Sequence, residues 1–186
     1  MIEPVRRGVA GGRWSPAWAV ALLLAVVLLA VALLGGCRDE GDGAAQLVGK
    51  AAPTLSLETL DHERFHLRDH RGKPVVLLFW NTTCQVCKRE MVELQALREQ
   101  LGADRVGMAT ILSDPENLDT ARRMIAGLSI SYPTLLDRGG KVTGALGIDT
   151  FPTTMVITPD GKIGFARVGF TEPLMDQLRQ AIERAR

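Results

Sequence analysis

Phe79-Trp80-Asn81-Thr82-Thr83-Cys84-Gln85-Val86-Cys87-Lys88 carries two cysteines three residues apart. The apolar run Val75-Val76-Leu77-Leu78 before it reads as a buried strand, and Glu90 to Arg98 after it reads as an amphipathic helix. A Cys-x-x-Cys pair therefore sits at a strand-to-helix junction. Unpaired N–H groups and the positive dipole end of a helix's first turn stabilise an anion, here the thiolate of Cys84. Cys87, one turn deeper, lies close enough to attack a mixed disulfide and release the product. Lys88 adds a positive charge nearby, a role it shares with ordinary solubilising lysines.

Two plainer readings of the pair fare worse. Half a zinc site needs a second ligand pair downstream, and no cysteine or histidine follows Cys87. A structural disulfide would close a very small loop and restrict the unfolded chain little. Redox chemistry is the better account, and no metal or other cofactor is expected.

Working outward, the 186 residues suffice for one domain of ordinary size plus an anchor. The 22 basic and 21 acidic residues are interspersed, so no basic stripe supports nucleic-acid binding. Arg6, Arg7 and Arg13 precede an uncharged apolar run from Ala17 to Leu34. Positive charge before such a run keeps the N-terminus cytoplasmic and sends the following domain across the membrane. Residues 1–16 thus read as a cytoplasmic n-region, and residues 17–36 as a transmembrane anchor or signal peptide. Leu34-Gly35-Gly36-Cys37 is similar to a bacterial lipoprotein cleavage box, which would make Cys37 a lipidated first residue. The alternative is an uncleaved anchor with a free Cys37. Residues 37–50, rich in Gly, Ala and acidic side chains, read as a flexible linker. Residues 51–186 read as the folded domain.

Within that domain, Leu55–Leu60 and Phe65–Leu67 read as a short hairpin at the sheet edge. His62, His66 and His70 fall in different local structures and read as surface residues rather than metal ligands. Val106–Leu112 reads as a buried strand, and Ser113-Asp114-Pro115-Glu116 as a helix start with a capping side chain. A strand near Tyr132–Leu136 and a short helix near Lys141–Leu146 follow. Pro152 opens an apolar strand as either an edge start or a cis turn. Pro159-Asp160-Gly161-Lys162 turns that strand back into Ile163–Val168, and Thr171–Ala185 closes the chain as an amphipathic helix. The order implies an α/β fold, a central mixed β-sheet flanked by helices.

Gly72-Lys73-Pro74, Phe79-Trp80, Cys84-Gln85-Val86-Cys87, Glu90, Phe151-Pro152-Thr153-Thr154 and Asp160-Gly161-Lys162 together resemble the TlpA/ResA type. These are membrane-tethered, extracytoplasmic thiol–disulfide oxidoreductases. The resemblance spans residues 51–186 and implies a thioredoxin-like fold with an N-terminal β-hairpin extension. It implies that Cys84 and Cys87 form a redox disulfide, and that a cis Pro152 faces them. Phe151, Thr153 and Trp80 would then contact an incoming cysteine-bearing segment. Glu90 taken alone is an ordinary helical acid; the resemblance implies that it tunes proton transfer at the cysteines. Cytoplasmic thioredoxins place a buried aspartate where Leu78 stands, so acid–base help must come from elsewhere. Thr83 and Gln85-Val86 depart from the common family pattern, which bears on redox poise and the direction of electron flow.

The function implied is a membrane-anchored reductase of disulfides in exported proteins, of the cytochrome c maturation or copper-site assembly type. Its partners would be those exported proteins and a transmembrane thiol-electron donor, with the membrane engaged through the N-terminus. The domain would face the periplasm or the extracytoplasmic side of a bacterial cytoplasmic membrane. Two other classes compete. A peroxiredoxin-class thiol peroxidase resembles P-x-x-x-T-x-x-C, where this chain has Leu77 and Asn81. A copper-binding chaperone would use both thiolates as soft ligands with a downstream histidine, which is lacking.

Overall fold

A computed structural model describes residues 43–186, together with Leu22. The n-region, Cys37 and, apart from Leu22, the apolar run lie outside the described residues. Among those described, no helix is long and apolar enough to cross a membrane.

Val75 to Trp80 (β3) carries six buried side chains in a row, as expected for a strand covered on both faces. It is the centre of a five-stranded sheet. Gly107–Leu112 (β4) runs parallel beside it, and Thr134–Leu136 (β5) runs parallel beside β4. On the other flank, Thr153–Ile157 (β6) and Ile163–Val168 (β7) are antiparallel. Ser56–Glu58 (β1) and Arg64–His66 (β2) form the separate N-terminal hairpin. It leans on the sheet edge through a bridge between Thr59 and Leu135.

Four helices are described: α1 (Gln85–Leu101), α2 (Leu118–Gly127), α3 (Lys141–Leu146) and α4 (Leu174–Arg184). Alternation along β3 splits the core in two. Val76, Leu78 and Trp80 pack with Met91 and Leu94 of α1 and with Leu178 and Ile182 of α4. Leu77 and Phe79 pack with Ile111, Met155 and Val142 of α3. This is the mixed sheet flanked by helices that the sequence implies.

Two expectations need correction. Residues 43–50 are not a loose end of the linker. Ala44 and Leu47 are buried, the Gly49 N–H donates to the Ile163 carbonyl at 2.7 Å, and the Ile163 N–H donates to the Lys50 carbonyl at 2.9 Å. The packed domain starts before Ala51 because β7 pins this segment. His70 is only half-exposed: its ring stacks on Phe65 with centroids 4.6 Å apart. Burial, then the charge of Lys73, holds its pKa below the usual value.

Candidate active site

Trp80 ends β3, and the chain turns through residues 81–84 before α1 begins. The Cys84 N–H donates to the Asn81 carbonyl at 3.3 Å, closing the turn. Cys84 is the N-cap of α1, and its Sγ accepts from the Cys87 N–H at 3.1 Å. The sulfur stands where a capping oxygen usually stands, at the end of the helix that favours negative charge. The two cysteines are joined in a disulfide. Cys84 is partly exposed, whereas Cys87 is fully buried. An external thiol or disulfide can therefore reach Cys84 only.

Glu90 follows Cys87 on the inner face of α1 and is fully buried. Its position falls on the apolar stripe Cys87, Met91, Leu94, Leu97 and Leu101, and that spacing is the sequence signal for its burial. Its Oε1 accepts from the Thr154 hydroxyl, while its Oε2 has no protein partner. One donor does not replace lost hydration, so burial pushes the Glu90 pKa up to about 7, against the smaller lowering effect of Thr154. Tyr132 is buried alongside and donates to the Met91 carbonyl at 2.8 Å. Burial, then the charge of Glu90, holds its pKa above the usual tyrosine value.

Register explains how Thr154 reaches Glu90. Thr134, Thr110, Leu78, Thr154 and Arg167 lie side by side across all five strands. Leu78 is central in this row, so the polar groups on this face come from its neighbours and from α1.

The Phe151–Pro152 peptide is cis. Pro152 immediately precedes β6, whose first residue Thr153 pairs with Phe79. The proline turn thus lies at the same end of the sheet as residues 81–84. Phe151 is half-buried, and its backbone N–H and carbonyl have no hydrogen-bond partner among the described residues. Thr153 is buried, with its hydroxyl donating to the Thr150 carbonyl at 2.7 Å. Trp80 is a correction. It is fully buried between β3 and the helices, so it supports the site from below and cannot touch substrate.

The helix start read at Ser113-Asp114-Pro115-Glu116 is a short 3-10 turn, Pro115–Asn117, and α2 begins only at Leu118. The side chain of Asp114 does not cap that turn. Its carboxylate instead reaches back to Thr82 in the turn before Cys84. Among the described residues no cluster of potential metal ligands occurs.

A family model described as the AhpC/TSA family matches residues 48–166. The chain is 29% identical over 167 residues to the thiol-disulfide oxidoreductase ResA of Halalkalibacterium halodurans, covering 89% of this chain and 94% of that protein. It is 31% identical over 147 residues to ResA of Geobacillus thermodenitrificans, covering 77% and 81%. Among solved structures, it resembles a protein proposed as the thiol:disulfide interchange protein DsbE of Chlorobium tepidum. The TM-score is 0.68 at 24% identity, over 74% of this chain and 96% of that one. It also resembles the exposed lipoprotein thioredoxin Etrx1 of Streptococcus pneumoniae, with a TM-score of 0.62 at 25% identity, over 71% and 99%.

Proposed function

We propose, since this chain belongs to the AhpC/TSA family and is a thiol–disulfide oxidoreductase of the ResA type, that it works as a reductase of disulfides in exported proteins. The observation that carries this reading is the asymmetry of the pair: a reachable Cys84 at a helix start, and a buried Cys87 above a buried carboxyl group. In the reduced protein the Cys84 thiolate attacks one sulfur of a substrate disulfide. The other substrate sulfur leaves as a thiolate, and a mixed disulfide remains. Cys87 then gives up its proton and attacks Cys84 Sγ. This releases the second substrate thiol and forms the Cys84–Cys87 bond. Two electrons pass from the dithiol to the substrate, and two protons follow.

Glu90, titrating near neutral pH, can accept the Cys87 proton where no solvent reaches. The unpaired backbone of Phe151 beside cis Pro152 offers an extended substrate segment a pair of main-chain hydrogen bonds. Phe151, Pro152 and the backbone at Thr153 are accordingly assigned to substrate binding.

The rest of the reading draws on the sequence. The arginine-flanked apolar run supports a membrane tether with the domain outside the cytoplasm, and Cys37 is its candidate lipidation site. Re-reduction then requires a transmembrane thiol donor. Cysteine pairs in apocytochrome c or in copper-site proteins are the substrate classes that the family resemblance suggests. Trapping with Cys87→Ala in native membranes tests the proposal. Accumulation of mixed disulfides between Cys84 and exported dithiol proteins is the expected result. Trapping of cytoplasmic proteins only, or of none while the variant stays folded, overturns it. An unchanged membrane fraction and mobility in Cys37→Ala rules out lipidation.

A further inference from the structure

The turn that presents Cys84 is held from outside its own element. Thr82 donates its backbone N–H to both carboxylate oxygens of Asp114, at 3.0 and 3.2 Å, and its hydroxyl to Oδ2 as well. Asp114 lies two residues beyond β4, and Thr82 two residues beyond β3. The ladder between these parallel strands runs on past their ends, because the Ser113 N–H donates to the Trp80 carbonyl at 2.9 Å. Asn117 at the head of α2 donates its side-chain amide to Asp114 Oδ2 at 3.2 Å. The same carboxylate therefore gathers the pre-cysteine turn and the start of α2. Thr82 is buried, so its N–H and hydroxyl have no ready substitute in water.

We propose that Asp114 is a positioning residue for thiol–disulfide exchange, acting through Thr82 to fix the turn that presents Cys84. The inference rests on the assigned oxidoreductase activity and adds a residue outside the Cys-x-x-Cys segment and the proline loop. With Thr82 clamped and Cys84 N–H closed onto Asn81, the sulfur is held facing the Cys87 N–H. That N–H is the donor a thiolate at Cys84 would use. Releasing the clamp lets the sulfur swing away from the helix start, and misplacement on the scale of 1 Å costs up to about a hundredfold in rate.

Charge and position predict opposite shifts, which makes the proposal decidable. The charged residues that follow Cys84 on α1 are Lys88, Arg89 and Glu90; Asp114 reaches the turn through Thr82, and the segment 150–154 carries no charged residue. If Asp114 acted only as a negative charge, Asp114→Asn would ease thiolate formation and move the midpoint of Cys84 alkylation to lower pH. If it positions the turn, the midpoint moves to higher pH because the thiolate loses its fixed N–H.

The test measures exchange with a disulfide peptide, and the pH profile of Cys84 alkylation, on the full-length reduced protein. Asp114→Asn is expected to slow exchange about tenfold and raise the midpoint. Thr82→Ser, which keeps both donors, should behave as wild type. Asp119→Asn, an exposed acid on α2, is the control. Should Asp114→Asn not fold, Thr82→Val, which removes only the hydroxyl arm, carries the test with a smaller shift in the same direction. An unchanged profile and rate, or a midpoint that falls, overturns the proposal. Absence of exchange in the wild type would instead sink the reductase reading.

Discussion

Asp137 and Glu90 are the two fully buried carboxylates among the described residues, and their surroundings differ. Asp137, just before α3, accepts from the Val142 and Thr143 N–H groups and from the Thr143 hydroxyl, each at 2.9 Å. It satisfies the free donors of a short helix's first turn. Glu90, inside α1, has one hydroxyl donor and one oxygen with none. Satisfied burial makes a carboxylate part of the scaffold. Unsatisfied burial brings its protonation equilibrium to neutral pH, where it can serve thiol chemistry.

The largest effect expected from this contrast belongs to the scaffold acid. Asp137→Ala would strand two backbone donors and a hydroxyl, costing roughly 4 kcal/mol of folding stability. Urea unfolding measures it, and the alkylation profile of Cys84 in the folded fraction should not move. A loss under about 1 kcal/mol would break the comparison.

Glu90 should show the reverse pattern. Folded Glu90 keeps its proton up to about pH 7, whereas an unfolded glutamate loses it near 4.5. Between those values the folded state holds the extra proton, so stability falls as pH rises. The contribution is complete below the unfolded pKa and is lost as pH passes through the folded one. The shift corresponds to roughly 3 kcal/mol. Unfolding free energies from about pH 5 to about pH 8 should therefore fall in the wild type and flatten in Glu90→Gln. Glu93→Gln, on the exposed side of the same helix, should retain the fall. Equal slopes in all three proteins would place Glu90 with Asp137 as scaffold. In Glu90→Gln, slower exchange with an altered pH dependence would sharpen its assignment as the proton acceptor.

Thr154→Val gives the smallest effect. It removes the one donor that lowers the Glu90 pKa, so the proton-linked step moves to higher pH, with a stability loss of roughly 1 kcal/mol. Thr110→Val, in the same row of the sheet but bonded to Thr134 at 2.9 Å, is its control. Identical pH profiles for the two variants would show that the Thr154 contact does not tune Glu90.

Much of this was legible from the chain. The six buried residues of β3, the extent of α1 to Leu101, the short α3 and the β6–β7 hairpin follow from runs, caps and turns whose signals are local. The Cys84–Cys87 chemistry was legible for the same reason: a strand, a tight turn and a helix start are neighbours in sequence. The proline at position 152 left open an edge strand or a cis turn. The placement of β6 between β3 and β7 rules out the edge.

What sequence spacing could not determine is which side chains meet across the sheet. Thr154 lies 64 residues from Glu90, and Asp114 lies 32 from Thr82. Both contacts exist because strand register and parallel strand ends bring those positions together. The family resemblance makes Trp80 a substrate contact, and local signals make Ser113-Asp114-Pro115-Glu116 a helix start with a capping side chain. In the folded molecule the competing partner was Thr82 for Asp114, and the helix-packed core for Trp80. The order of elements and the redox pair follow from neighbouring residues, and so do the donors to Asp137, which lie five and six residues along the chain. The single donor to Glu90 does not: it comes from Thr154, 64 residues away, and the pairing of strands alone brings it there.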